Sequence, residues 1–493
     1  MMKRIFCCIL IFFCTLFVFP QSASINKNLF GFNTSNTFTY FDVNDKEFLD
    51  KINFISPNIL RFPGGNISNF YHVSGPAYGF KISEVDKWHS QKMPKRVRGL
   101  IKDQNRKGHN HNYINDYIRL IKEVNAKALV VANIITADTD EILTMIDRLK
   151  SEKIEIVGVE LGCELSNRAF SKKIKDIDDY LILSKKFASK IRLNHPELKI
   201  AVVAAPIKKN MPSRIKNWNS ELAKYDFFDA IIHHSYTKVI SGVAEAGQMI
   251  FEESVEIPIE KKFSLYKEII LHELDIGFKS KINEYIEIFG DVEIWLTEWN
   301  LQMSKTTGNT MLQSLFVSHF MMELFSSSEL KNITIASYHN LAGRDISGSI
   351  FKNNMDTFNI HSTFIPFTLL NEIFLNKIYE IEKVKINSDV FAYYCFDSEN
   401  SLRLVFIINW SNMEIDISDS LDSLDPKFNI PENNNRETLV CAYFSNNLFD
   451  TNSDSYYINP RETLVYQQLF EFNQFDQNHS FLLKPHSISL FLY

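Results

Sequence analysis

The sequence VEIWLTEWN at residues 292–300 is a short apolar run that carries an acidic residue, Glu298, near its end. The sequence IVGVELGCE at residues 156–164 has the same form and ends at Glu164. Short runs that are apolar almost throughout are typical of strands covered on both faces, as in a parallel sheet. Each stretch therefore predicts a buried strand with a glutamate at its carboxyl end.

The same alternation of an apolar run with a helical period fills residues 29–374. Helical spacing of apolar residues occurs at 114–124, 177–191 and 311–325, where one stripe of side chains would pack against a sheet. Strands that alternate with helices in this way predict parallel β-α units. We therefore predict a (β/α)8 TIM barrel over residues 25–376, with eight strands at 29–32, 59–62, 128–133, 156–161, 200–204, 230–233, 292–297 and 333–337.

After residue 374 the pattern changes to β-type runs at 404–410, 438–444 and 487–493, separated by clusters of Asn, Asp, Ser and Pro. This pattern predicts an all-β sandwich domain over residues 377–493. Two stretches of the barrel, 71–112 and 237–290, are longer than ordinary connections. Long loops in compact domains are usually functional or carry small helices, so we expect both to shape a substrate cleft.

The first 24 residues have the three parts of a signal peptide. Met1-Met2-Lys3-Arg4 gives a basic start, residues 5–19 are apolar, and small residues occupy 22–24. The apolar run is shorter than the roughly 18 residues that a bilayer span needs. We predict cleavage after Ser24 and a secreted, periplasmic or cell-envelope protein. The alternative is an uncleaved leader, through which alone the protein would contact a membrane.

Three cysteines remain outside this leader: Cys163, Cys395 and Cys441. Three thiols do not form the dense framework of a small disulfide-rich domain. One pair remains possible in the C-terminal module, Cys395 with Cys441, if the two strands are adjacent.

Charge and motifs exclude several kinds of partner. The formal net charge of −6 gives no general attraction to nucleic acid, so no nucleic-acid partner is expected. Pro63-Gly64-Gly65 is followed by no Gly-Lys-Ser/Thr, and no metal-ligand spacing occurs, so neither a cofactor nor a metal is expected. Residues 92–107 hold seven lysines and arginines against Asp103 alone. That run is either an ordinary solvated face or a surface that attracts an anionic polysaccharide.

The two strand-end glutamates point to a reaction. In a TIM barrel the loops at the carboxyl ends of the strands enclose the site, so Glu164 and Glu298 are expected at one mouth. Cleavage of a glycosidic bond uses such a pair, because one carboxylic acid protonates the leaving oxygen while the other carboxylate supports or attacks the sugar carbon. A separation of about 5–5.5 Å gives retention and about 6.5–9.5 Å gives inversion.

Four short motifs resemble a known group of enzymes: RFPGGN at 61–66, HHSY at 233–236, TEWN at 297–300 and LKPHSI at 483–488. Together they resemble clan A glycoside hydrolases, closest to the family 51 α-L-arabinofuranosidases and to neighbouring families 39 and 79. The resemblance implies an exported retaining glycosidase that acts on a plant, algal or host polysaccharide or oligosaccharide by double displacement. It implies Glu164 as the general acid/base and Glu298 as the nucleophile.

Six further residues are expected to bind the carbohydrate or to position the glutamates. Arg61 carries a permanent charge that would keep Glu298 ionised, and Tyr236 would donate a hydrogen bond to it. Trp299 would offer an apolar platform to the sugar. Glu160 and Glu293 lie earlier in their strands and are expected to be structural, as is His233 in the core. The six residues are Arg61, Asn66, Cys163, His234, Tyr236 and Trp299.

Two departures from the resemblance leave a second interpretation open. Clan members usually carry Asn immediately before the acid/base glutamate, where this sequence has Cys163, and a thiol is a poor replacement for an amide donor. The family 51 pattern also has a glutamate after the first strand, whereas residues 31–36 contain no acid. Arabinofuranose specificity is therefore not implied. The second interpretation is a catalytically impaired barrel that acts as a carbohydrate-binding protein.

Overall fold

The structure of the protein, a computed structural model, describes residues 24–492 except for 36, 82, 85–110, 241, 245–250, 254–256, 303, 305–306, 344–347, 355–356, 418–437, 445–448, 450–465 and 473–481. The leader predicted at residues 1–24, apart from Ser24, and the basic run at 92–107 lie outside the described residues. Of the helices in the described ranges, none has both the length and the hydrophobicity that a membrane crossing requires.

Eight parallel strands form a closed barrel, as the sequence predicts. Each strand is hydrogen-bonded to the next along the chain, and the eighth pairs with the first. Their side chains are almost all buried, because helices cover the outside and side chains fill the interior. The strands are β1 (Gly31–Asn33), β2 (Ile59–Phe62), β3 (Lys127–Ala132), β4 (Ile156–Leu161), β5 (Ile200–Val203), β6 (Ala230–Thr237), β7 (Glu293–Leu301) and β8 (Ile333–Tyr338).

The helices around the barrel begin at favourable caps. Asp138 and Asp176 each accept hydrogen bonds from two backbone N–H groups at the start of a helix, a contribution of about 1 kcal/mol each. The α-helices in the described ranges are α1 (Thr37–Tyr40), α2 (Lys46–Ile55), α3 (Tyr113–Glu123), α4 (Thr139–Ser151), α5 (Ile177–Asn194), α6 (Trp218–Leu222), α7 (Ile259–His272), α8 (Phe278–Phe289), α9 (Met311–Ser326) and α10 (Phe364–Leu375).

Two parts of the barrel differ from the sequence prediction. Strands β6 and β7 continue past their predicted ends at 233 and 297, so the motif residues that follow lie within strands rather than in loops. The long stretch at 237–290 carries helices of its own, as its length allows, but these helices are longer than the small ones expected. Helices α7 and α8, joined by a π-helical turn at Glu273–Gly277, occupy it and pack around the barrel.

The C-terminal module is a β-sandwich with one large and one small sheet. The large antiparallel sheet has the order β9-β10-β11-β14-β12-β13, and the small one pairs Ile415–Asp416 with Leu482–Leu483. One face of the large sheet packs on the barrel and the other meets Ile417 and Leu483. Its strands are β9 (Glu380–Lys385), β10 (Val390–Phe396), β11 (Leu402–Asn409), β12 (Thr438–Phe444), β13 (Tyr466–Phe472) and β14 (Ser487–Leu492).

A disulfide between Cys395 and Cys441 is ruled out by the order of the strands. Cys395 lies on β10 and Cys441 on β12, and β11 and β14 lie between them. Strands are spaced about 4.8 Å apart, so three steps exceed the roughly 7 Å that a disulfide allows between Cα atoms. Cys395 is a buried free thiol.

The contact between Gly158 on β4 and Trp295 on β7 gives a test of the barrel interior. A Cβ atom at Gly158 would lie 2.1 Å from Cη2 of Trp295, whose side chain is fully buried. We expect Gly158→Ala to lower the free energy of unfolding by about 1–3 kcal/mol, measured by urea denaturation. Adding Trp295→Phe removes the clashing ring, so the double variant should lose less than the sum of the two single losses. Additive losses would contradict this packing.

Candidate active site

The carboxyl ends of β4 and β7 bring Glu164 and Glu298 to the same mouth of the barrel. After β4 the chain turns through left-handed backbone conformations, with φ of 88° at Gly162 and 52° at Glu164. Asn69 holds this turn, since its side chain donates to the Cys163 carbonyl at 2.8 Å and accepts from the Cys163 N–H at 3.0 Å. In the other strand, the register between β6 and β7 shifts just before Glu298. Such irregularities re-aim side chains at sites of this kind.

Glu298 is a buried carboxylate surrounded by donors. Its Oε1 accepts from Nη1 of Arg61 at 3.0 Å, and its Oε2 accepts from the hydroxyl of Tyr236 at 2.7 Å. Burial by itself would raise the pKa of Glu298, but the positive charges of His234, His339 and Arg61, together with the Tyr236 hydrogen bond, hold it well below its usual range. Glu298 is therefore ionised at neutral pH.

Arg61 is fully buried and is anchored by a second glutamate, Glu160. The guanidinium donates to both carboxylate oxygens of Glu160, from Nε at 2.6 Å and from Nη2 at 2.7 Å. Its Nη1, besides contacting Glu298, donates to the side chain of Asn33 at 3.2 Å. Burial disfavours the charge on Arg61, but the neighbouring carboxylates more than offset this and raise its pKa. The bidentate pair fixes the orientation of the guanidinium.

His234 contacts both candidate catalytic glutamates. Its Nδ1 lies 3.1 Å from Oε1 of Glu164 and 3.6 Å from Oε2 of Glu298, while its Nε2 lies 3.2 Å from the Thr297 hydroxyl. Burial opposes a charge on the ring, but Glu298 and the hydrogen bond to Glu164 outweigh it and raise the pKa of His234. His234 is thus placed to hold a proton between the two carboxyl groups.

The shared histidine limits the gap between the glutamates. Because one nitrogen lies 3.1 Å from one carboxylate oxygen and 3.6 Å from the other, those oxygens are at most about 6.7 Å apart. Glu164 is the more accessible of the two, with 23% of its side chain exposed against 5% for Glu298. The arrangement therefore places one acidic group facing the cleft and one buried group below it.

The other predicted residues divide into those that reach this centre and one that does not. Asn66 donates to Oε2 of Glu164 at 2.7 Å, and Cys163 lies with its Sγ 3.7 Å from Oε1 of Glu298. Burial, together with Glu298, raises the pKa of Cys163, so it remains a thiol and acts as a weak donor. Trp299 is wrongly predicted as a sugar platform. It is 1% exposed and stacks on Phe320 of α9, because alternation along β7 turns it outward when Glu298 faces inward.

Several residues of the site were not found by sequence reasoning. The sequence predicts a structural role for Glu160, and the structure shows that this role is to anchor Arg61 within the site. The signal that was available is that Glu160 stands four residues before Glu164, on a strand whose other side chains are apolar. Of the remaining four, Thr297 belongs to the motif at 297–300, but the roles of all four arise only when separate strands and loops meet. They are Asn33, Asn69, Thr297 and His339.

Cys163, His234 and Glu298 also have the spacing of a metal site, since one donor atom from each lies within 4.8 Å of the others. The charge arrangement opposes a cation there. Nη1 of Arg61 is 3.0 Å from the same carboxylate, and the pKa of the Cys163 thiol is raised rather than lowered. Cys163, His234 and Glu298 are therefore better suited to hydrogen bonding among themselves and with Arg61 than to binding a metal ion.

A cavity of about 690 Å³ opens beside Glu164 on the side of β5 and β6. This is the size of an ordinary small-molecule site. His233 forms part of its wall; burial lowers the pKa of His233 to about 3, and its ring packs 4.9 Å from that of Tyr285. His233 is therefore a neutral packing residue, as expected. His234 and Tyr236 also line the cavity, and both contact Glu298.

Neither a protein-family model nor a curated protein sequence matches this chain. Solved structures do. The family 51 arabinofuranosidase from Xanthomonas axonopodis pv. citri is 11% identical, with 97% of this chain and 98% of that one covered and a TM-score of 0.63. The α-L-arabinofuranosidase of Thermotoga maritima is 14% identical, with 95% and 97% covered and a TM-score of 0.60.

This chain has the fold of the family 51 arabinofuranosidases. The same fold extends to other glycoside hydrolases. A 4-O-α-L-rhamnosyl-β-D-glucuronidase from Fusarium oxysporum is 10% identical over 96% of this chain and 97% of that one, with a TM-score of 0.55. The resemblance seen in four short motifs is thus confirmed at the level of the whole architecture, barrel and sandwich together.

The buried charges around Arg61 give a prediction about stability. Arg61→Met leaves Glu160 buried without its cation, so we expect the free energy of unfolding to fall by about 3–5 kcal/mol. Arg61→Lys should recover little, because an ammonium group does not reproduce the bidentate contact. Lys127→Met, which breaks an exposed pair with Glu155, is the control and should cost about 0–1 kcal/mol. The free energy of unfolding is measured by urea denaturation. Equal losses in Arg61→Met and Lys127→Met would show that Arg61 does not stabilise the buried Glu160.

The low pKa of Glu298 gives a prediction about acid. Its folded pKa lies below the unfolded value of about 4.3, so its contribution to stability is complete above that pH and is lost as the pH falls. Between about pH 5 and pH 3 the free energy of unfolding of the wild type should therefore fall more steeply than that of Glu298→Gln. Urea denaturation at several pH values measures both slopes, and parallel curves would contradict the assignment.

Proposed function

We propose that this protein is an exported retaining glycoside hydrolase in which Glu298 is the nucleophile and Glu164 the general acid/base. The observation that carries the proposal is the contact of His234 with both glutamates at one mouth of the barrel. One carboxylate is buried and ionised, and the other faces a cavity of substrate size. Glycosidic cleavage by a carboxylate pair requires an ionised nucleophile and a second carboxyl group that reaches the glycosidic oxygen.

The upper limit on their separation supports retention. The two oxygens that contact His234 are at most about 6.7 Å apart, a limit that includes the retaining separation of about 5–5.5 Å and lies below most of the inverting range of about 6.5–9.5 Å. In a retaining reaction no water has to fit between the nucleophile and the sugar in the first step. The donors crowded around Glu298 also suit a group that attacks directly.

The first step forms a bond between a Glu298 oxygen and the anomeric carbon. Glu164 gives its proton to the glycosidic oxygen, the bond from that oxygen to the anomeric carbon breaks, and the leaving group departs as an alcohol. Arg61 and Tyr236 hold the Glu298 carboxylate, while Asn66 and His234 hold Glu164. These contacts fix the geometry before substrate binds, which is how positioning lowers a barrier.

The second step releases the sugar. Glu164, now a carboxylate, takes a proton from a water molecule whose oxygen attacks the anomeric carbon, and the bond to Glu298 breaks. Both glutamates return to their starting protonation states. His234, whose pKa is raised, lies 3.1 Å from Glu164 and holds that carboxyl group in place through both steps.

A carbohydrate-binding barrel without catalysis is the second candidate, and Cys163 is the observation that favours it. The resemblance places an amide donor at this position, and a thiol directed at Glu298 does not replace its hydrogen bond to the sugar. The activity test below separates the two candidates, because a binding protein has no hydrolysis for a glutamate substitution to remove.

Export is supported by the basic, apolar and small-residue segments of residues 1–24. The proposed substrate is a plant, algal or host polysaccharide or oligosaccharide. The structural similarity to arabinofuranosidases and a glucuronidase supports a carbohydrate substrate without selecting the sugar. Mass measurement of the mature N-terminus tests cleavage after Ser24, and a retained leader would favour the membrane anchor.

The roles of the two glutamates are tested with a panel of 4-nitrophenyl glycosides. We expect Glu298→Ala to lower kcat/KM more than about a thousandfold, since it removes the attacking group. Glu164→Ala should lower it by about 10²–10⁴-fold with natural leaving groups and less with 4-nitrophenolate, which departs without a proton. Added azide should restore activity in the Glu164 variant as a glycosyl azide.

Glu293→Gln is the matched control, because Glu293 lies at the other end of β7 and pairs with Lys199. Its activity should stay near that of the wild type. Equal activity of Glu298→Ala and the wild type would disprove the nucleophile, and an inverted product by NMR would disprove retention. Binding of oligosaccharides without hydrolysis of any of them would favour the carbohydrate-binding barrel.

A further inference from the structure

The cavity beside Glu164 has a chemical character that the two glutamates do not explain. It is bounded by Glu164 and by the loops after β4 and β5, and Glu298 does not form part of its wall. Its lining includes the buried side chains of Ile215 and Tyr285, and basic side chains that are exposed or half-buried and form its rim. The rim residues are Arg168, Lys208 and Arg214.

Two of these cations are available to a ligand. Arg214 uses its guanidinium on backbone carbonyls, with Nη2 donating to Ile174 at 2.6 Å and to Leu165 at 3.1 Å. Arg168 and Lys208 are exposed, and no carboxylate of the described residues lies within ion-pair distance of either. Glu164 is the one acidic side chain among the lining residues.

The position of the cavity assigns it to one part of the substrate. A nucleophile and a leaving group lie on opposite sides of the anomeric carbon, and the acid that protonates the leaving oxygen lies on the side of the leaving group. The proposed acid, Glu164, lines the cavity, and the proposed nucleophile, Glu298, does not. It is therefore on the side that receives the departing alcohol.

We propose that this cavity binds the leaving-group part of the substrate and that this part carries an anionic group, a carboxylate or a sulfate, which is held by Arg168 and Lys208. This inference rests on the proposed function for the direction of cleavage. It deepens that function by naming the substrate class, a glycan that is acidic on the leaving-group side. It is independent of the basic run at 92–107, which lies outside the described residues.

The charges favour an acidic over a neutral leaving group. Two unpaired cations on the rim of a partly enclosed cavity create a positive potential that attracts an anion and orients it. A neutral sugar gains only hydrogen bonds to its hydroxyl groups from them, whereas an anion gains stronger contacts in which both partners are charged. Serine and asparagine side chains of the same wall remain for sugar hydroxyls, namely Ser166, Asn167, Ser171 and Ser213.

The experiment compares aryl glycosides of one hydrolysed sugar that differ in the phenol. The leaving groups are 4-nitrophenol, a carboxy-4-nitrophenol and a sulfo-4-nitrophenol, and the quantity measured is kcat/KM in wild type and in the double variant Arg168→Gln/Lys208→Gln. For each glycoside, dividing the kcat/KM of the double variant by that of the wild type cancels the intrinsic reactivity of the phenol. We expect the double variant to lose about tenfold on the charged glycosides and little on the neutral one.

The controls are Lys209→Gln and Lys173→Gln, which remove the same charges from exposed neighbours outside the cavity wall. They should behave as wild type on all three glycosides. Added salt should narrow the difference between charged and neutral substrates in the wild type, because it screens exposed charges. If the double variant loses activity on only one of the two charged glycosides, the charged group of that glycoside, carboxylate or sulfonate, is the one that the cavity binds.

The proposal is overturned if the double variant loses equally on charged and neutral glycosides, or if the control variants lose as much. Should no glycoside be hydrolysed, the proposed function falls, and the cavity is judged by binding instead. Calorimetry with trigalacturonate and its methyl ester then compares wild type with the double variant. If the wild type binds trigalacturonate more tightly than its methyl ester and the double variant does not, the anionic site is supported. Equal binding of the acid and the ester by the wild type rejects it.

Discussion

The buried guanidinium of Arg61 is the constraint on which the site depends. A charge with no exposed surface is tolerated only if it is paired and hydrogen-bonded throughout. Arg61 comes from β2, its anchor Glu160 from β4 and its second partner Glu298 from β7, so one side chain links three strands across the barrel interior. The same contacts that stabilise the charge also keep Glu298 ionised and directed toward the mouth.

His234 extends this arrangement to the second glutamate. Its ring contacts Glu164 and Glu298, so the two glutamates share one neighbour while keeping different degrees of exposure. The buried thiol of Cys163 adds a weak donor to Glu298 and no amide for the sugar. The site therefore has both carboxyl groups that the proposed reaction needs and lacks the amide that the resemblance places beside Glu164.

The C-terminal sandwich contributes through packing rather than chemistry. Its large sheet lies against α9, where Glu323 is buried and is bound by Lys279 of α8, by Lys383 of β9 and by the hydroxyl of Tyr393 of β10. Phe320, one turn earlier on the same helix, stacks on Trp299 of β7. The sandwich thus supports the strand that carries Glu298 from behind, which gives a physical reason for the two modules to form one continuous core.

The sequence alone determined the eight strands, the change to an all-β module and the two glutamates, because hydrophobic periodicity and strand-end position are local properties. It did not reveal Glu160 as the anchor of Arg61, the shared contact at His234 or the outward rotation of Trp299. Those depend on which residues face one another across a closed barrel, and on a register shift between β6 and β7 that no local pattern records. Tertiary structure decided them, since closure brings together side chains that lie 99 and 237 residues from Arg61 along the chain.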